Sequence, residues 1–228
     1  MALLVLCFSL SSSSDPEIVE HQISDDGWIE VPLDFTFPFY GNSYVTSFMF
    51  SNGVVGFLDP LDVPGTGIVH DGLCCNGENF EGGATGVRFH YTIMPWHTDL
   101  IDTGVGKFYT QGDETFQKYM WENLSEYYDR NTSNTFDLTI YPMGNIEVNY
   151  EKVHIKNHSV TVGVVGDLSA GDELRGYSLS GLSEDSDGNF LEWESDSLGE
   201  TQKTVKVVNV TCLLYTSPSP RDQRGARM

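Results

Sequence analysis

Apolar and polar positions alternate along the middle of the chain with the two-residue period of strands. Trp28, Val31, Leu33, Phe35, Phe37 and Phe39 are spaced largely by twos, which places them on one face of an extended segment. Ser47 to Leu58 (SFMFSNGVVGFL) is two short apolar runs joined by Asn52 and Gly53, and Asn-Gly is the strongest short hairpin signal. A second hairpin is expected where Val105–Thr110 and Thr115–Trp121 flank Gln111, Gly112 and Asp113, and a third where Thr135–Tyr141 meets Ile146–Tyr150 through Pro142 to Asn145. Val160–Val165 supplies another strand and Thr204–Val210 a late β-branched one. No window sustains a helical period over three turns, because Gly, Asp and Asn interrupt it about every ten residues. The pattern predicts an all-β fold, an antiparallel β-sandwich or barrel-like domain of short strands and hairpins.

Charge narrows the partners. With 12 Lys and Arg against 33 Asp and Glu in 228 residues, the net charge is −21. Nucleic acid and anionic membrane surfaces are therefore poor partners. No apolar run approaches the roughly 20 residues of a membrane span. Residues 1–14 read as a candidate signal peptide: Ala2–Leu10 is a short apolar run followed by Ser11–Ser14, without a basic leader. Residues 213–228 (LLYTSPSPRDQRGARM) bring Arg221, Arg224 and Arg227 into an otherwise acidic chain. They resemble translated adapter sequence, and we set them apart from the fold as a non-native tail. A disordered basic tail is the other reading of them.

Of the four cysteines, Cys7 leaves with the signal and Cys212 borders the tail, so Cys74 and Cys75 remain. No Cys-x-x-Cys or Cys/His spacing suggests zinc, and an oxidising compartment favours a disulfide. Cys74 and Cys75 either bond to each other or to partner chains, or one of them pairs with Cys212. Four N-x-[ST] sequons, at Asn123, Asn131, Asn157 and Asn209, point with the signal to a secreted glycoprotein.

Three segments in order carry a resemblance. Phe37–Phe57 (FPFYGNSYVTSFMFSNGVVGF), Ile93–Thr110 (IMPWHTDLIDTGVGKFYT) and Asn134–Tyr150 (NTFDLTIYPMGNIEVNY), followed by Val160–Val165, are similar to the nidogen-like (NIDO) extracellular domain family. The family pattern has an aromatic-Pro-Phe-x-Gly turn, a strand ending in Ser-Asn-Gly, a Pro-Phe-Trp-x-Asp block and an Asn-Thr-Phe strand pair. Trp96 and Asp99 stand in register with it, and the usual Phe before Trp is missing. The resemblance implies a nidogen-like β domain over 15–168 and an acidic extension over 169–212 with one or more further strands. The insertion Leu61–Val87 and the stretch Ala170–Asn209 depart from the pattern. In physical terms these motifs are structural. Gly41 and Gly53 supply backbone conformations a side chain would strain. Phe37, Phe39, Phe50, Phe57, Trp96 and Phe136 fill the space between two sheets, and Asp99 caps a turn or accepts backbone donors.

Catalytic patterns fare poorly. Asp102-Thr103-Gly104 spells the aspartic-protease triplet, but that chemistry needs two carboxylates sharing a proton and no second triplet follows. Gly176–Gly181 (GYSLSG) lacks the glycine of a nucleophile elbow. His154 and His158 are four apart beside strands, a spacing that does not put them on one face, and are expected at the surface. One acidic cluster fits a twelve-residue calcium loop: Ser183 at position 1, Asp185 at 3, Asp187 at 5, Gly188 at 6, Asn189 at 7 and Glu194 at 12. Ser at position 1 weakens the fit, and a solvated acidic linker is the alternative. The resulting expectation is a secreted, glycosylated, non-enzymatic module of a matrix, coat, filament or adhesive surface, with extracellular proteins or glycans, or further copies of itself, as partners and calcium as candidate cofactor. The rival is a calcium-dependent carbohydrate-binding protein or glycosidase, with Trp96, Trp121 and Trp193 lining a sugar groove.

Overall fold

A computed structural model describes residues 15–61, 90–155, 157–158 and 160–166, together with the strand backbones of 175–179 and 200–207. The candidate signal, the tail, Cys74 and Cys75, Asn209, Trp193 and the Ser183–Glu194 loop lie outside the described residues.

Two antiparallel sheets face each other. Numbered in chain order, the first runs β1 (Val19–His21), β7 (Lys107–Asp113), β8 (Phe116–Glu126), β9 (Asp129–Ile140), β10 (Ile146–Lys152) and β13 (Glu200–Val207), with β6 (Leu100–Ile101) paired to β8. The second runs β12 (Arg175–Leu179), β11 (Val160–Val165), β5 (Thr92–His97), β4 (Val54–Gly56), β3 (Asn42–Phe50) and β2 (Trp28–Phe39). Successive strands pair as hairpins, β2 with β3, β3 with β4, β7 with β8, β8 with β9 and β9 with β10. The predicted β-sandwich is the observed fold.

The core follows from alternation. Val31, Leu33, Phe37 and Phe39 of β2 meet Tyr119 and Trp121 of β8, Phe136 and Leu138 of β9, and Val148 and Tyr150 of β10 in one buried cluster. Trp121 stacks on Phe136 at 5.0 Å, and Phe57 lies against Phe37 and Phe39. Three side chains of the first sheet also reach across it to bond the second. The Tyr119 hydroxyl lies 2.6 Å from Ser47 Oγ, Trp121 Nε1 donates to the Phe50 carbonyl at 2.9 Å, and the Tyr150 hydroxyl donates to the Pro95 carbonyl at 2.6 Å. Burial pushes both tyrosine hydroxyls well above their ordinary range. Leaving any of these groups buried and unpaired would be costly, so the bonds fix how the sheets register.

The β5 strand shows why Trp96 points inward. Its pairing with β11 slips between Thr161 and Gly163. Pro95 has no N–H for a central ladder, and such a proline is accommodated at a bulge. The bulge puts both Ile93 and Trp96 in the main core while Met94 faces the other side.

Three expectations are corrected. The β7–β8 turn falls at Glu114 and Thr115, not at Gln111 to Asp113, because Asp113 Oδ1 accepts the backbone N–H and hydroxyl of Thr115 at 2.7 and 2.6 Å. Gly112 is instead a ladder residue paired with Gln117, whose side-chain amide lies over it where a Cβ would stand. Phe50 does not lie between the sheets; it joins Trp28, Phe48, Val54, Met94 and Val165 in a second cluster on the outer side of its own sheet, since Met49 takes the inward position. The late strand begins earlier than expected, at Glu200, and takes in Thr204–Val207, while 208–210 lie outside the described residues.

Candidate functional site

The motif residues converge at one end of the sandwich. Gly53, in the β3–β4 turn, has φ +72, and a Cβ there would stand 2.1 Å from the Trp96 carbonyl oxygen. Only glycine permits both the left-handed backbone and that approach. Asn52 beside it is wholly buried. Its Nδ2 donates to Asp26 Oδ1 at 2.9 Å, its Oδ1 accepts the Leu100 N–H at 2.8 Å, and its carbonyl accepts the Thr98 N–H at 3.3 Å. The Ser-Asn-Gly turn is thereby clamped to the segment that follows Trp96, which packs edge-on against Tyr150 at 5.6 Å.

Asp99 leaves that segment pointing into a group of titratable side chains. Its carbonyl accepts the Tyr127 N–H at 3.0 Å. Its carboxylate stands 3.7 Å from His158 Nε2 and within 4.8 Å of oxygens of Asp25 and Asp26, which lie in the turn before β2. Burial pushes the Asp99 carboxyl up to about 6. His158 opposes that rise, and the charges of Asp26, Asp25 and Glu126 add to it. Asp25 is raised as well, by burial and then by Asp26, against the pull of Arg130.

Behind His158 sits Glu126, fully buried at the end of β8. Its Oε1 accepts the backbone N–H groups of Asn157 and His158, both at 2.6 Å. It also stands 2.8 Å from His158 Nδ1, close enough for an ion pair but too far out of line for a hydrogen bond. The expectation that His158 is a surface residue is overturned: its side chain is 2% exposed. The Glu126 carboxylate draws the 157–158 backbone inward and carries the ring under Tyr128, which stacks on it at 5.2 Å. His154 is half-buried, its backbone held by Asn134 Oδ1 at 2.8 Å.

Other candidates resolve differently. The expected turn cap is supplied by Asp102 rather than by the Asp99 carboxylate: Asp102 Oδ1 accepts the N–H groups of Gly104 and Gly106 at 2.7 and 2.6 Å. The protease-like triplet is thus the start of a turn held by its own aspartate. Ser178 of the GYSLSG stretch falls mid-strand in β12, paired with Thr161, not on a strand-to-helix elbow. Trp96 and Trp121 are both 0% exposed and line no groove. Gly41 has φ +77 with open space around it. The sequon asparagines Asn123, Asn131 and Asn157 are all exposed, Asn123 at a left-handed φ of +52 where the β8–β9 pairing slips.

A shallow groove of about 490 Å³ lies on the outer face of the first sheet, lined by Gln111, Phe116, Lys118, Asp137, Thr139, Tyr141, Glu147 and Asn149. Sequence reasoning missed it, although each of these positions is the outward member of an alternating pair. Asp137 is bonded to Lys118 at 3.1 Å and to Asn149 at 3.2 Å, and Glu147 accepts the Tyr141 hydroxyl at 3.0 Å. Burial, followed by that bond, pushes the Tyr141 hydroxyl up to about 12.

A family model described as NIDO related matches residues 10–187. No curated protein and no solved structure matches at a significant level. Among the described residues, no helix is long and apolar enough to cross a membrane.

Proposed function

Since the chain belongs to the NIDO-related family, we propose that it is a secreted, glycosylated, non-enzymatic contact module of an extracellular matrix, coat, filament or adhesive surface, engaging protein or glycan partners. The observation that carries this reading is the division of labour around the sandwich. The motif residues Asn52, Gly53 and Trp96 are consumed in the interior, while the outward groove offers two aromatic rings, Phe116 and Tyr141, among amides and already-bonded carboxylates. Rings flanked by directional polar groups suit recognition of a polar surface. The sequons support the same reading. Asn123 lies five residues beyond Lys118 along β8, and Asn131 and Asn157 border the far end of that strand. None of these asparagines lines the groove.

The test uses the full chain secreted from eukaryotic cells. Enzymatic deglycosylation is expected to increase its gel mobility. On a panel of extracellular-matrix proteins and glycans, binding is expected that falls at least tenfold in Tyr141→Ala with an unchanged melting temperature. Release of reducing sugar from glycan substrates would instead establish the glycosidase.

A further inference from the structure

Three carboxylates meet at the end of the sandwich. Asp25, Asp26 and Asp99 each bring a carboxylate oxygen within 4.8 Å of the other two. Asp25 is exposed, Asp26 half-buried and Asp99 buried, so the cluster leads inward from solvent. Two ligands on opposite sides of a calcium ion stand about 4.6–5.2 Å apart, twice the metal–oxygen distance. The three oxygens therefore already occupy the span of one coordination sphere.

An acidic cluster alone would be no more than a solvated surface. Here the imidazole of His158 is the independent observation. It is 2% exposed, neither of its nitrogens makes a hydrogen bond, and its Nε2 stands 3.7 Å from Asp99 Oδ2. A buried, unbonded polar nitrogen is costly, and natural structures rarely leave one without a partner. On its other side Nδ1 faces Glu126 Oε1 at 2.8 Å. With Nδ1 turned toward Glu126, Nε2 is the ring nitrogen that faces the acidic cluster. A separation of 3.7 Å is also that of neighbouring ligands at right angles around one ion with bonds of about 2.6 Å, the long end of the calcium range. Asn52 steadies the outer half of the cluster through its 2.9 Å bond to Asp26 Oδ1.

We propose that Asp25, Asp26 and Asp99 bind a divalent cation at this end of the sandwich, with His158 Nε2 as a nitrogen donor on the buried side. Three carboxylates suit Ca²⁺ and Mn²⁺, and the imidazole favours Mn²⁺ of the two. The ion would tie the turn before β2 to the segment after β5, two stretches more than 70 positions apart. None of these residues belongs to the Ser183–Glu194 segment, and the site does not depend on what the outer groove binds.

The experiment is calorimetric titration of the chelator-treated, full-length secreted protein with Ca²⁺ and with Mn²⁺, alongside thermal melts. Saturable binding of one or both ions and a raised melting temperature are expected. Asp25→Asn removes a ligand at the exposed rim without disturbing the core and is expected to weaken binding at least tenfold. Asp187→Ala, in the other acidic loop, is expected to leave that component unchanged. Asp99→Asn is expected to abolish it; because Asp99 is buried, the Asp25 variant decides the matter if the Asp99 variant fails to fold. No binding of either ion, or an isotherm unchanged by Asp25→Asn, overturns the site.

Discussion

Gly53 and Gly41 have nearly the same left-handed backbone, φ +72 and +77, at opposite ends of the sandwich, yet their surroundings have nothing in common. Around Gly53 the polar groups are buried and their partners come from far along the chain: Asn52 bonds Asp26 and Leu100, Asn134 bonds His154, Glu126 bonds Asn157 and His158. At the end that holds Gly41, turns close on themselves. Asp113 bonds Thr115 two residues on, and Tyr141, Gly144 and Asn145 exchange backbone bonds within the β9–β10 turn. One end is a long-range clamp, the other a set of local turns. Substitutions at the first should propagate; at the second they should stay local.

The largest expected effect is Gly53→Ala. The left-handed backbone alone costs a side chain about 1–2 kcal/mol. The added Cβ would also stand 2.1 Å from a backbone oxygen that cannot swing away. A total above about 4 kcal/mol is expected, read as loss of secretion or a large fall in the urea midpoint. Gly41→Ala carries the backbone strain without the collision and should cost about 1–2 kcal/mol. Equal midpoints for the two variants would break the contrast.

Next comes Asn52→Ala, which strips the buried Leu100 N–H of its acceptor. A buried donor left unpaired costs about 1–3 kcal/mol, and freeing Asp26 adds to that. Asp113→Ala, the corresponding loss at the local end, leaves exposed groups that water satisfies and should move the midpoint far less. Denaturant titration of both variants checks the order.

The same contrast explains what could be read from the sequence. Two-residue alternation and Asn52-Gly53 located the strands and the β3–β4 hairpin, because periodicity and turn chemistry are local. Trp96 and Asp99 could be singled out only through a motif. Their partners could not be identified: Asp25 and Asp26 lie more than 70 positions away, and no spacing rule links them to Asp99. His158 was misread because it sits beside a sequon in an apparent loop, while the carboxylate that draws it inward is Glu126, 32 residues earlier. The β7–β8 turn was misplaced because Gly112 looks like a turn glycine and serves as a packing glycine. Long-range polar pairing leaves no periodic trace, so the clamp end was the harder one to see.

A smaller effect is the pH dependence of the clamp end. Asp99 takes up its proton near pH 6 in the native fold and near its ordinary value of 3.8 when unfolded. Between those values the native state binds more protons, so stability contributed by Asp99 is full below about 3.8 and is lost as pH rises through about 6. Asn at this position imitates the protonated form at every pH. In chelator, the melting temperature of the wild-type chain minus that of Asp99→Asn should therefore fall between pH 5 and 7.5, by about 2–4 °C for each kcal/mol involved. A flat difference would mean that the cluster does not hold Asp99 above its ordinary range.

The smallest stability effect belongs to the groove, and its smallness is the point. Tyr141→Phe removes the hydroxyl that donates to Glu147 Oε2 at 3.0 Å. Both residues are only half-buried, and water can replace the lost bond. Changes at such sites usually stay within about 0.5 kcal/mol. If the groove is a contact surface, its residues are retained for what they meet, and Tyr141→Phe should weaken partner binding while leaving the denaturation midpoint in place. Ultraviolet titration provides a check free of any partner, because one tyrosine should ionise only near pH 12 in the wild-type chain and that step should vanish in Tyr141→Phe. A midpoint that drops as far as in Asn52→Ala would show that the groove network also holds the sheet together, and the distinction between a structural end and a contact face would fail.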